Sequence, residues 1–198
     1  MMESTDAGET PTVRPLFGGA IEVSVPQRFI DVSDFRPVPD HQEIFADGNT
    51  DQSIIVEIVQ HVGDVPDAES ARYFWNDLAE QNQSQNNTVF SDQELSSTDV
   101  AGIPTESFKA VIVGSQEVSK GRQGPDAANL VQISLAVLRL PSVGSDVLVT
   151  INTPIIINKN STAAKDAGSG LKPDHVVGPS LLKAALGTLK VKEWGLFG

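Results

Sequence analysis

PLFGGAIEVSVPQRFIDVSDFRPVPDHQEIF, running from Pro15 to Phe45, is the stretch from which the rest of the chain is read. Gly18-Gly19 is a turn where backbone φ can be positive. Ala20 to Val25 alternates apolar and polar residues, the period-two mark of a half-buried strand. Pro26 ends it, because proline cannot donate to a ladder. Asp31-Val32-Ser33-Asp34-Phe35-Arg36 spells one helical turn, with Asp31 as its cap and Asp34 at its positive end. Pro37 ends that turn by forcing Arg36 toward extended geometry. Pro37-Val38-Pro39-Asp40 is a stiff link and turn. His41 to Phe45 resumes a strand. The stretch therefore reads as two strands joined by a tight crossover, with more charge than a core needs.

Downstream, residues 46–51 form a polar loop. The spacing Asp47, Asn49, Asp51 mimics the start of a calcium loop. Gln52 stands where such a loop needs glycine and Ile58 where it needs glutamate, so an EF-hand is rejected and no metal site is expected. Ser53 to Val62 is rich in β-branched residues and reads as a strand. Ser53, Ile55, Glu57, Val59 and His61 share one of its faces. Glu57 is a charge inside an apolar run, and burying it unpaired would be costly.

Pro66 to Asn82 predicts an amphipathic helix with Asp67 as cap and Ala71, Phe74, Trp75 and Leu78 facing inward. Thr88 to Val100 predicts a short strand and turn, and Phe108 to Gly114 a strand. Leu130 to Leu140 is apolar on both faces, so both faces want cover. Pro141 to Ser145 turns the chain, and Asp146 to Thr153 returns as a hairpin. Residues 158–174 read as a long mobile loop. Ser180 to Leu189 predicts a second helix, after which Trp194, Leu196 and Phe197 dock onto the core. The pattern implies an α/β (α+β) sandwich: an antiparallel β-sheet flanked by helices on both faces.

At 198 residues the chain fits a single domain, here expected over 15–198 behind a disordered acidic tail at 1–14. The formal net charge of −12 argues against nucleic acid, whose binders need a basic face. Cysteine is absent, which excludes disulfides, thiolate nucleophiles and zinc-thiolate sites. The opening residues lack the basic and apolar regions of a secretory leader, and no apolar run approaches a membrane span. Nucleus and cytoplasm are the expected locations. His41, His61 and His175 sit in no recognisable catalytic motif, and no P-loop or Gly-x-Ser-x-Gly occurs. Neither an enzyme nor a cofactor is expected. The charge is uneven: residues 1–100 carry 19 acids against 4 bases, and residues 101–198 carry 7 against 10. An acidic half of this kind either serves solubility alone or steers a chain toward a basic partner.

Several runs resemble the Ran guanine nucleotide release factors, the Mog family. They are Leu16-Phe17-Gly18-Gly19-Ala20, Ile30-Asp31-Val32-Ser33-Asp34 with Arg36-Pro37-Val38-Pro39-Asp40, Gln42-Glu43, and Asp51 to Glu57. Leu138-Arg139-Leu140, Ser145 to Asn152 and Leu196-Phe197-Gly198 are similar as well. The resemblance implies a twisted antiparallel sheet between helices, like that of the photosystem extrinsic PsbP proteins. It also implies a monomer that binds the GTPase Ran, promotes nucleotide release and serves nuclear import. The partner-binding candidates are Asp31, Asp34, Arg36, Asp40, Glu43, Asp51, Glu57 and Gln60. The acids would meet lysine and arginine of the GTPase, and Arg36 would add a bidentate contact or hold the acids. The resemblance places an acid at Glu57 and commonly another at the position of Gln60, where this chain has lost the charge. Two alternatives stand beside this reading: an adaptor in membrane-protein trafficking, and an extrinsic photosystem-type protein.

Overall fold

The computed structural model describes residues 10–119, 123–172 and 177–198. Its largest element is an eight-stranded antiparallel sheet in the order β3 (Ile30–Asp31), β4 (Gln42–Asp47), β5 (Gln52–Gln60), β9 (Ser145–Ile157), β8 (Asn129–Leu140), β7 (Lys109–Val118) and β6 (Asn87–Glu94), with the short β10 (Gly170–Leu171) also on β9. A second sheet of three strands runs β1 (Pro11–Leu16), β2 (Ile21–Pro26) and β11 (Lys190–Val191).

The central strand explains the layers. Val131, Ile133, Leu135 and Val137 of β8 pack with Ala71, Phe74 and Trp75 of α1 (Ser70–Gln81). The alternate residues Ala136, Leu138 and Leu140 pack with Leu182, Ala185 and Leu186 of α3 (Gly178–Thr188) and with Ile21, Val23 and Val25 of β2. The period-two alternation of a strand thus feeds two separate cores. On the α1 side, Gly114 of β7 lets the indole of Trp75 come close against the strand. A Cβ there would come within 2.6 Å of the ring and overlap the Thr88 carbonyl oxygen.

One buried cation ties these layers to the chain that enters α1. Arg139 of β8 is 1% exposed. It donates to the carbonyls of Val62 (2.6 Å) and Val65 (2.7 Å) and to Asp67 Oδ1 (2.9 Å). Its Nε lies 3.5 Å from Asp146, whose fully buried carboxylate also takes His61 Nδ1 at 2.8 Å. Asp67, expected as the helix cap, is therefore spent on Arg139. A 3-10 turn, Asp67–Glu69, leads into α1 instead.

Two further expectations need correction. The acidic tail was expected through residue 14, but Pro11–Leu16 form β1, paired in register with β2. Its prolines fit because β1 is an edge strand, where a missing N–H breaks no ladder. Arg14 secures the strand by donating to the Phe29 carbonyl at 2.9 Å. The segment 158–174 carries structure in its described part: α2 (Ala164–Ala167) and β10. Side chains hold it, since Asn129 accepts from the Asn158 N–H at 2.9 Å and donates to Ser161 Oγ at 3.1 Å. Residues 173–174 and His175 lie outside the described residues.

Candidate functional site

The decisive stretch folds as its residue types dictate. The Asp31 carboxylate accepts from the Ser33 N–H at 2.8 Å and caps a 3-10 turn, Val32–Asp34. The Phe35 and Arg36 N–H groups close the turn onto the Val32 carbonyl, at 3.0 and 3.1 Å. Pro37 and Pro39 then carry the chain, extended, to a turn closed by the Gln42 N–H on the Pro39 carbonyl (2.9 Å). β3 pairs with the middle of β4, which places this loop along the outer edge of the hairpin of β4 and β5.

Between the loop and β4 lies a groove of about 440 Å³. Asp31, Asp40 and Glu43 bring carboxylates to it. Phe17, Val38, Ile44 and Leu196 give it apolar walls. Glu43 has a second task. Its Oε1 accepts from the Phe17 N–H at 2.6 Å. Phe17 sits at φ +50°, ahead of Gly18 at +69° and Gly19 at +94°, so this bond holds a left-handed turn that a side-chain-bearing residue adopts only under strain. Leu16-Phe17-Gly18-Gly19 and Glu43 are thus one unit, although 26 residues separate Phe17 from Glu43.

The remaining candidates spread outward from the groove. Asp34 and Arg36 stand exposed on the adjoining 3-10 turn, and Phe35 between them is 73% exposed. Glu57 pairs with Gln42 across the hairpin, while Glu43 pairs with Val56, so the two glutamates leave opposite faces of the sheet. Glu57 Oε1 accepts from Gln42 Nε2 at 3.0 Å and lies 3.3 Å from His41 Nε2. Its charge is therefore partnered and half-buried. Gln42 also lines the groove, so Glu57 reaches the site at one remove. Gln60 is exposed at the far end of β5, beside Ser145 of β9. Asp51 is at the opposite tip of the hairpin with φ +59°, about 20 Å along the strand from Glu57. The eight candidates therefore form a compact trio, an adjoining turn, a reverse-face glutamate and two outliers.

Residue patterns pointed to the acids and missed the walls of the groove. Phe17, Val38 and Ile44 read as ordinary apolar residues of a turn, a link and a strand. Leu196 was expected on the core, but no local signal connects it to residues 31–43. Among the described residues, no group of three or more His, Asp or Glu is placed to hold a metal ion. The His61–Asp146 pair has the spacing of a catalytic dyad, yet Arg139 occupies the same carboxylate and braces the loop around it.

Comparison with known proteins bears on the family and the fold. The family model described as Ran-interacting Mog1 protein matches residues 14–154. The chain is 36% identical over 153 residues to the Ran guanine nucleotide release factor of Danio rerio, spanning 76% of this chain and 82% of that protein. It is 29% identical over 178 residues to the nuclear import protein mog1 of Schizosaccharomyces pombe, spanning 88% and 90%. The crystal structure of the Saccharomyces cerevisiae Ran-binding protein Mog1p superposes with a TM-score of 0.68 at 25% identity, over 96% of this chain and all of that one. A cyanobacterial PsbP from Synechocystis aligns with a TM-score of 0.52 at 12% identity over 96% of this chain and 98% of its own, a likeness of fold alone.

Proposed function

The chain belongs to the Mog1 family, and from that premise we propose that it binds the small GTPase Ran, promotes release of guanine nucleotide from it and supports nuclear protein import. The observation that carries this reading is the groove, where Asp31, Asp40 and Glu43 surround an apolar floor. Three carboxylates on a preformed wall suit lysine and arginine of a protein partner, because charge complementarity steers encounter and fixes orientation. Asp34 and Arg36 extend the contact along the neighbouring turn. Glu57, set by His41 and Gln42, supports it from the reverse face. Gln60 offers a hydrogen bond where a carboxylate would offer charge. Asp51, far from the groove, adds to the long-range field only.

The chain acts on its partner and supplies no bond-making chemistry of its own. Release follows from linkage. A protein that binds nucleotide-free Ran more tightly than loaded Ran lowers nucleotide affinity by the same factor. On this reading it works as a monomer in nucleus and cytoplasm. The test is release of a fluorescent guanine nucleotide from purified Ran, loaded with GDP or GTP, with and without the chain. Faster release from either form is expected. Unchanged release from both, with no complex on a sizing column, refutes the proposal.

A further inference from the structure

Leu196 reaches the groove from the other end of the chain. It belongs to a 3-10 turn, Trp194–Phe197, which lies beyond the matched family region of residues 14–154. The turn is seated by the same unit that holds Glu43. Glu43 fixes the Phe17 N–H, and the Phe17 turn delivers Ala20. The Ala20 carbonyl then accepts from the N–H groups of Lys192 (2.8 Å) and Glu193 (3.1 Å). β11 pairs with β2 just before this point, and Lys192 Nζ reaches Glu22 Oε1 at 3.2 Å. Phe197 and Leu196 pack partly onto the core, and the Trp194 ring lies tilted against that of Phe197, 5.7 Å between centroids, with over a third of its surface exposed. A closed circuit results, from Glu43 through Phe17, Ala20 and Glu193 to Leu196 and back to the groove.

We propose that the Trp194–Phe197 turn is the apolar jaw of the docking groove. It takes an aliphatic or aromatic side chain of the partner that is flanked by lysine or arginine. The proposal rests on the Ran reading above. Its basis is charge complementarity around an apolar centre. Half-buried Leu196 shares the groove with Val38 and Ile44, and Asp31, Asp40 and Glu43 line the same groove. Interfaces concentrate their energy where apolar contacts lose water on docking, inside polar rims that exclude it.

The two kinds of contact separate by salt. Binding of Ran to the full chain is measured by calorimetry at low and high ionic strength. Leu196→Ala weakens binding about tenfold at both, the scale of one apolar anchor. Asp40→Asn weakens it mainly at low salt, because screening already removes that contribution at high salt. Leu196→Met, which conserves volume, restores wild-type affinity. Independently of any substitution, the amide signals of Gly195 and Leu196 shift on adding unlabelled Ran to the isotope-labelled chain, together with those of Asp40 and Glu43. If Asp40 and Glu43 shift while Gly195 and Leu196 stay still, or if Leu196→Ala binds as wild type while Asp40→Asn does not, the jaw is refuted and the Ran reading stands. If wild type binds no Ran at either salt, the Ran reading fails and the jaw falls with it.

Discussion

Glu43 separates two roles that one carboxylate performs. It lines the groove, and it accepts from the Phe17 N–H at 2.6 Å. Glu43→Ala removes the acceptor and leaves a partly buried N–H unsatisfied, a loss of about 1–3 kcal/mol. The left-handed geometry of Phe17 makes relaxation the cheap response, so the turn should shift and disturb Ala20 with it. Glu43→Gln keeps an oxygen at the same place and loses the charge. A neutral bond is roughly half as strong as a charge-assisted one, so stability should fall by about 1 kcal/mol or less. Urea denaturation reads this directly. With a slope of about 2 kcal/mol per molar, Glu43→Ala lowers the midpoint by about 1 M and Glu43→Gln by less than half of that. Ran binding reads the other role, and both variants should lose a comparable part of the salt-dependent affinity. Wild-type midpoints in both variants would show that the Phe17 bond holds nothing. Wild-type affinity in Glu43→Gln would show that the carboxylate is structural only.

Arg139→Met should destabilise by about 3–5 kcal/mol, since it removes the guanidinium from beside the buried Asp146 carboxylate and the donors from the Val62 and Val65 carbonyls; the double variant with Asp146→Asn should recover the part that comes from the carboxylate in the same urea titration. Gly114→Ala should lower the thermal midpoint by about 5–10 °C, because its Cβ meets backbone as well as the Trp75 ring, and circular dichroism melting checks it. Lys109 gives a pH signature. Burial holds its ammonium below the usual lysine value of 10.5, with Glu106 opposing more weakly, while Nζ donates to the Pro104 and Ser107 carbonyls at 2.8 Å each. The unfolded chain then binds the extra proton between the depressed value and 10.5, so wild type gains stability as pH rises through that window and Lys109→Met shows no such gain. A pH-independent difference between the two would refute the assignment.

The layers were legible because β8 states its burial on both faces. Val131 to Val137 and Ala136 to Leu140 are two apolar sets in alternating register, and each found its own core. The 3-10 turn after Asp31 was legible for a local reason: a capping carboxylate, a proline stop and five residues between them. What stayed hidden depends on distance along the chain. β1 carries two prolines and only one buried residue, so no period shows its pairing. Asp67 has the position of a cap, but Arg139, 72 residues later, takes it. The acids were read as one cluster, yet strand register sends Glu43 and Glu57 to opposite faces, and register cannot be seen in charge alone.

Register also suggests why the hairpin suits a protein that would compete with a bound nucleotide. Groove carboxylates that had to be ordered on binding would lose affinity to entropy. Asp31 is already fixed by Ser33, and Glu43 by Phe17; behind them, Glu57 is fixed by Gln42 and His41. The bonds of Asp31 and Glu43 to the chain itself each use one carboxylate oxygen and leave the second for the partner. On the proposed function, that preorganisation favours whichever state of Ran presents its basic residues in matching positions. A tenfold preference for the empty state corresponds to about 1.4 kcal/mol of coupling and weakens nucleotide binding tenfold. One well-held carboxylate can supply a difference of that size. The expected consequence is that loosening an acid without removing it, as Ser33→Pro would do by deleting the N–H that Asp31 accepts, reduces release more than it reduces encounter with Ran. Stopped-flow association and nucleotide-release rates measured on the same variant decide it. Equal losses in both would mean that the carboxylates act by attraction alone.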